Sequence, residues 1–186
     1  MFGHKLDPDS ELRVLERRHG PELYALVDSC RPHLRRWLPW VDNTRTIADT
    51  ERFITDSLAQ LASNQSFQVG IWHQGELVGV CGYHPVDWRN RKTALGYWLA
   101  PEHQGKGLMT ETCRALIDHA FDELDLARIE IRCATQNHKS RAIPERLGFR
   151  QEGVARRAEW LYDHFVDLVV YSMLAVEWSQ VTRERR

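Results

Sequence analysis

The chain has 186 residues, 42% of them hydrophobic and 27% charged, an ordinary globular usage that excludes a disordered or fibrous chain. Its 25 basic and 26 acidic residues leave a formal charge of −1, so the electropositive footprint of a nucleic-acid binder is missing and no nucleic-acid partner is expected. No apolar run approaches the roughly 18 residues of a membrane span, and the start "MFGHKLDPDSELRV" has no signal-peptide core. Residues 1–186 are therefore read as one domain of a cytoplasmic protein without membrane attachment.

In chain order, "ELRVLE" (11–16) alternates as an opening strand. Gly20 and Pro21 then start a helix with Leu23, Leu26 and Val27 on one face. "RPHLRRWLPWVDNTRT" reads as a loop, because Pro39 lacks an amide and turns Leu38 away from helix. Thr46 or Asp49 caps a helix running to about Asn64, with Ile47, Phe53, Ile54, Leu58 and Leu61 at helical spacing. "FQVGIWHQGELVGVCGYHPV" is a hairpin turning at Gln74 and Gly75, and "TALGYWLA" is a further strand stopped by Pro101.

From Leu108 to Leu124 the set Met109, Cys113, Leu116, Ile117, Ala120, Phe121 and Leu124 advances by threes and fours, an amphipathic helix. "ARIEIRCAT" is a strand and "HKSRAIPERLG" a short helix broken or kinked at Pro144 and ended by Gly148. "FRQEGVARRAEWLY" supplies a strand and an exposed connection, and "DHFVDLVVYSMLAVEW" a long closing strand. Strands open, centre and close the chain with helices between them, which predicts an α/β fold on a mixed sheet. Cys30, Cys81, Cys113 and Cys133 form no C-x-x-C and the histidines no H-E-x-x-H, so the thiols read as reduced core residues and no metal is expected.

The stretch "PEHQGKGLMTE" (101–111) links the end of a strand to the start of a helix through two glycines. Amides at a helix N-terminus have no intrahelical acceptors, and glycine lets an anion approach them, so this turn is a phosphate site. A Walker loop does not fit, because Lys106 lies between the glycines, and a Rossmann fingerprint lacks its third glycine.

Gln104-Gly105-Lys106-Gly107-Leu108-Met109 resembles the Q/R-x-x-G-x-G/A motif of the GCN5-related N-acetyltransferases (GNAT), departing from it at Met109. Asn137-His138-Lys139-Ser140 and Leu147-Gly148-Phe149 resemble that family's second half-site. "WLPW", "QGKGLMTE" and "NHKSRAIPERLGF" are most similar to its ribosomal-protein-serine N-terminal acetyltransferase group. The resemblance covers nearly the whole chain. It implies a GNAT fold: a mixed, mostly antiparallel twisted sheet of about seven strands, splayed between the fourth and fifth by a bulge, with about four flanking helices.

It also implies acetyl-coenzyme A as co-substrate, a primary amine such as a protein N-terminus as acceptor, direct attack in a ternary complex, and a possible homodimer. On this reading Trp98, Leu99, Gln104, Gly105, Lys106, Gly107, Leu108, Met109, Asn137 and Ser140 hold the coenzyme. The Leu99 amide is the oxyanion donor. Ser140 replaces the tyrosine acid that many relatives carry where this chain has Pro144. Glu102 is the first candidate base, with His84 and Asp87 behind it. Trp37, Trp40 and His84 are placed at the acceptor entrance, with Arg35 and Arg36 drawing acidic residues of a peptide. Trp160 and Tyr162 line either the acceptor cleft or a dimer contact. The residues alone leave open an acyl-coenzyme A sensor or inactive paralogue, an acetyltransferase for a small-molecule amine, and a nucleotide-dependent enzyme.

Overall fold

The computed structural model describes residues 3–183. Eight strands form one sheet in the order β1-β2-β3-β4-β5-β6-β8-β7. They are β1 (Gly3–Lys5), β2 (Ser10–Val14), β3 (Phe67–His73), β4 (Glu76–Tyr83), β5 (Lys92–Leu99), β6 (Arg128–Ala134), β7 (Arg150–Leu161) and β8 (His164–Leu174). Every neighbouring pair is antiparallel except β5 with β6. The helices are α1 (Gly20–Ser29), α2 (Arg31–Leu34), α3 (Ile47–Ala62), α4 (Leu108–Asp118), α5 (His138–Leu147) and α6 (Ala175–Arg183). The mixed, mostly antiparallel sheet is the expected one, with β1 as an eighth strand that the sequence did not announce.

The sheet separates two apolar layers. One holds Leu108, Met109, Cys113, Leu116 and Ile117 of α4 and Ile143 and Leu147 of α5 against Val69, Ile71, Leu95 and Leu99. The other holds Leu23 and Val27 of α1, Leu34 of α2 and Ile54 of α3 against Trp72, Leu77, Val80 and Ala100. All four cysteines are free and buried.

Five local expectations change. Within "RPHLRRWLPWVDNTRT", residues 31–34 form α2 and Val41–Asn43 a 3-10 turn, with the Arg31 guanidinium donating to the carbonyls of Val41 (2.7 Å) and Thr44 (2.8 Å). The long amphipathic helix is α-helical only to Asp118 and continues as a π turn over His119–Glu123. "AVEW" leaves the closing strand and starts α6. The Trp178 ring is buried there, its Nε1 donating to Asp118 (2.6 Å), and this tertiary anchor overrides strand propensity. The expected bulge is not in β5, whose register with β4 is unbroken from Leu95 to Leu99. It lies at Val78 of β4, opposite β3, and puts Leu77 on the same face as Val80.

Pro144 neither breaks nor ends α5, which runs through it. A proline there removes the amide that would bond the Ser140 carbonyl one turn back. The Tyr97 hydroxyl fills that role, donating to the Ser140 carbonyl at 3.0 Å. Tyr97→Phe is therefore expected to lower unfolding stability by about 1–3 kcal/mol, the cost of orphaning an enclosed carbonyl. Adding Pro144→Ala, which restores an amide donor, is expected to recover most of that loss in a denaturant-unfolding double-mutant cycle.

Candidate active site

Parallel pairing of β5 with β6 covers Lys92–Leu95 against Arg128–Ile131 and goes no further. Beyond it the strands diverge, which is the splay expected between the fourth and fifth strands of a sheet counted without β1. The amide direction of the freed segment follows from its other neighbour. His84 N donates to Ala94 O (2.8 Å) and Ala100 N to Val78 O (2.9 Å), so even-numbered residues of β5 exchange hydrogen bonds with β4. By alternation the amides of Tyr97 and Leu99 face the gap on the β6 side, where no strand meets them.

A cavity of about 2030 Å³ occupies this gap and the groove beside it. The glycine turn opens onto it. Gly105 (φ +77°) and Gly107 (φ +83°) adopt the left-handed conformation, and a Cβ at either would meet nothing within 4 Å. α4 begins directly after Gly107, and its first internal bond is Glu111 N to Gly107 O (3.1 Å). The amides of Leu108, Met109 and Thr110 therefore point out of the helix at its positive end. The Leu108 and Met109 side chains are buried in the core, so the departure from a small residue at Met109 takes nothing from the cradle.

Lys106 is exposed and not among the residues lining the cavity. Lys139 and Arg146 of α5 line it, with Arg146 donating to the Thr110 hydroxyl (2.8 Å) at the helix start. Gln104 turns its side chain inward, to the Leu99 carbonyl (3.2 Å), His33 (2.9 Å) and Lys139 (3.1 Å).

On the β6 side, Asn137 caps α5 by accepting from Ser140 N (3.2 Å), which leaves the Ser140 hydroxyl out of the cap. That hydroxyl lies 3.2 Å from Cys133 Sγ and 3.4 Å from the Tyr97 hydroxyl. Burial raises the thiol pKa of Cys133 and holds that of the Tyr97 phenol well above the ordinary range, so both stay protonated.

The residues expected at the acceptor entrance converge as well. Trp37, Trp40 and His84 line the cavity, and so does Trp98, which was expected to hold the coenzyme; the Trp40 and Trp98 rings are 6.1 Å apart. The wall is fastened from outside: Tyr162 donates to the Leu38 carbonyl (2.6 Å), and the Arg35 guanidinium lies 4.0 Å from the Tyr162 ring centre while pairing with Asp42. Arg35 and Tyr162 thus brace the loop. Trp160 is exposed against Phe165 on the β7–β8 hairpin.

The carboxylates sort differently from the sequence reading. Glu102 is exposed on the 3-10 turn Pro101–His103 and is absent from the cavity lining, because that turn directs it outward. Asp87 reaches the cavity, but hydrogen bonds from Asn90 lower its pKa and occupy its oxygens. His84 packs over Gly96, and partial burial keeps its pKa below that of a free imidazole.

Glu159 is the group the sequence reading missed. It lines the cavity from β7, and burial alone raises its pKa. Arg156, Arg157 and Ala158 lie opposite Asp167 alone between the pairs Ala155–Leu168 and Glu159–Val166, and these two extra residues shift the register so that Glu159 stands opposite Val166, on the same face as the cavity-lining Leu168. Nothing in "ARRAEW" announces it. Among the described residues no group of three or more His, Cys, Asp or Glu is placed to hold a metal ion, and no helix is long and apolar enough to cross a membrane.

An open helix start behind two glycines and an unpaired strand edge face one cavity, an arrangement that fits a phosphate-bearing carrier with an extended arm. The acetyltransferase (GNAT) domain model matches residues 11–150, and the chain belongs to that acetyltransferase family. Among its relatives is YdaF of Bacillus subtilis (strain 168), named provisionally as a ribosomal N-acetyltransferase. It is 40% identical over 181 residues, 96% of this chain and 98% of YdaF. The ribosomal-protein-serine acetyltransferase of Escherichia coli (strain K12) is 28% identical over 170 residues, 91% of this chain and 95% of that protein. A solved structure of RimL, a ribosomal L7/L12 alpha-N-protein acetyltransferase in complex with coenzyme A joined to a cysteine by a disulfide, superposes with a TM-score of 0.88. It is 26% identical and covers 91% of this chain and 96% of RimL.

The raised pKa of Glu159 has a stability signature. The folded state holds its proton to higher pH than the unfolded chain, so stability falls as pH rises from the unfolded value, near 4.5, through the folded one. Glu159→Gln is expected to raise the melting temperature at pH 7 and to leave it unchanged near pH 4, as read by thermal unfolding at both values.

Proposed function

We propose that the protein transfers an acetyl group from acetyl-coenzyme A to the α-amino group of a protein N-terminus, the acceptor being a ribosomal protein. The observation that carries this reading is the common facing of two sets of free amides. Those at the start of α4 and those at the end of β5 open onto one cavity. The residues fit the coenzyme. The amides of Gly105 to Met109, with Arg146 beside them, would hold its diphosphate. The edge of β5 and the side-chain Nδ2 of Asn137 would hold the pantetheine arm as an added strand. When bound, acetyl-coenzyme A supplies an acetyl group activated as a thioester.

The chain's own groups divide the remaining work. Leu99 N–H donates to the carbonyl oxygen as negative charge develops there, a contribution of about 3 kcal/mol for a preorganised donor. Glu159, rather than Glu102, takes the proton from the attacking amine, because it faces the cavity, which Glu102 does not line, and because burial raises its pKa. The Ser140 hydroxyl hydrogen-bonds the departing sulfur, which needs little more, since a thiol of pKa about 8.5 leaves readily as thiolate.

Cys133 is the cysteine lining the cavity, and its raised pKa makes it a poor nucleophile, which favours direct attack over an acyl-cysteine route. The cysteine-linked coenzyme of RimL accords with a thiol beside the coenzyme's sulfur. A homodimer belongs to the same reading, β7 being a twelve-residue edge strand with Val154 and Trp160 exposed.

Mass spectrometry of an acceptor panel tests the reading directly. Incubation with acetyl-coenzyme A is expected to add one acetyl group to the N-terminus of peptides beginning with serine or alanine. Acetylation of polyamines or aminoglycosides in their place would reassign the acceptor, and release of free thiol with no acceptor at all would overturn the function.

Two substitutions test the roles. Ser140→Ala is expected to lower kcat at least about tenfold while coenzyme affinity stays near that of the unaltered protein. Gly107→Val is expected to weaken coenzyme binding by calorimetry, because its side chain would project into the open cradle.

A further inference from the structure

The Gln104 carboxamide joins three elements, and its orientation is fixed by chemistry. Lys139 Nζ, which can only donate, lies 3.1 Å from Oε1. Turning the amide over would set N–H groups against the ammonium and an oxygen against the Leu99 carbonyl. The nitrogen Nε2 therefore faces the Leu99 carbonyl (3.2 Å) and Nε2 of His33 (2.9 Å). An amide nitrogen cannot accept, so His33 Nε2 must, and the imidazole is neutral with its proton on Nδ1.

The charged surroundings favour that state. Burial, Lys139 of α5 and Arg36 just beyond α2 all disfavour the imidazolium, and Glu102 of the 3-10 turn opposes them. The Leu99 carbonyl held by Gln104 belongs to the peptide whose amide, Ala100 N, bonds Val78. The end of β5 is thereby pinned from both sides, one peptide away from the Leu99 amide that faces the cavity.

We propose that the Gln104–His33 pair is a positioning device, tying the end of β5 to α2 and through it to the tryptophan wall, and that protonation of His33 releases it. This rests on the acetyl-transfer reading above. Neither side chain touches the reacting atoms. The pair acts through the Leu99 amide and through the spacing between the coenzyme side and the acceptor side of the cavity. Protonated His33 carries hydrogen on both nitrogens and meets the Gln104 amide as donor against donor. The hold is present at neutral pH and is lost as pH falls through the imidazole pKa.

The test combines kinetics with NMR of the full-length protein. His33→Ala is expected to lower kcat about tenfold with the KM for acetyl-coenzyme A within about twofold, the split of a group that positions rather than binds. His33→Gln, whose Oε1 can accept from Gln104, is expected to restore most of kcat and to remove the histidine limb of the acidic pH profile. Nitrogen-15 spectra are expected to show His33 as the Nδ1–H tautomer at pH 7. Gln104→Glu, which places a carboxylate against the imidazole, is expected to raise the His33 pKa by at least about one unit.

Unchanged kcat and pH profile in His33→Ala, or an Nε2–H tautomer in the unaltered protein, would overturn the proposal. Turnover by the unaltered protein is measured first. Its absence would defeat the acetyl-transfer reading alone, while the tautomer and the Gln104→Glu shift would still decide whether the pair exists.

Discussion

The parting of β5 from β6 beyond Leu95 and Ile131 is the constraint on which the rest of the site depends. A sheet interior leaves no backbone group free, because each amide meets a carbonyl on the next strand. Here β5 stays bonded to β4 as far as Leu99, and β6 stays bonded to β8 as far as Ala134. Neither strand can close the gap without giving up a complete ladder on its other side. The amides of Tyr97 and Leu99 are left as donors at the floor of a cavity, ready for a ligand that brings its own acceptors. A strand-like carrier arm with a carbonyl at its tip meets that need.

Polar contacts across the gap hold it open. Tyr97 reaches from β5 to the Ser140 carbonyl of α5, and the Ser140 hydroxyl sits between Tyr97 and Cys133 of β6. That carbonyl is available because residue 144 is proline. An imino acid that costs the helix one internal bond thus provides the anchor for the neighbouring strand. Tyr97 thus anchors the strand to the helix, and the Ser140 hydroxyl beside it stays clear of the helix cap. At the outer end, Gln104 and Arg146 link the glycine turn to α2 and α5, so the phosphate cradle and the strand end form one connected frame.

Much of this was legible in the sequence wherever the signal was local. The threes and fours of Met109, Cys113, Leu116 and Ile117 required a helix with one buried face. Two glycines ahead of that helix required an open turn at its positive end, and both features are present. What could not be read was set by contacts distant in sequence. "AVEW" has strand propensity, but Trp178 finds Asp118 sixty positions earlier and makes a helix. Pro144 reads as a helix breaker until Tyr97 supplies the missing donor. Glu102 is prominent because it adjoins the glycine turn, yet a 3-10 turn aims it at solvent. Glu159 lies in a segment of alternating charge and small residues, and a register shift of two residues sets it opposite Val166, where it lines the cavity. Periodicity reports which face of an element is buried, whereas strand register or a buried partner elsewhere decides what a single polar side chain meets.

The central claim is that the free amides at the end of β5 and at the start of α4 receive the same ligand. Residue-resolved amide hydrogen exchange with and without acetyl-coenzyme A measures this most directly. Slowed exchange at Leu99 together with Gly105 to Met109, and no change at Trp98, whose amide already bonds β4, is the predicted pattern. Protection confined to the glycine turn, or absent from both segments at saturating coenzyme, would contradict it.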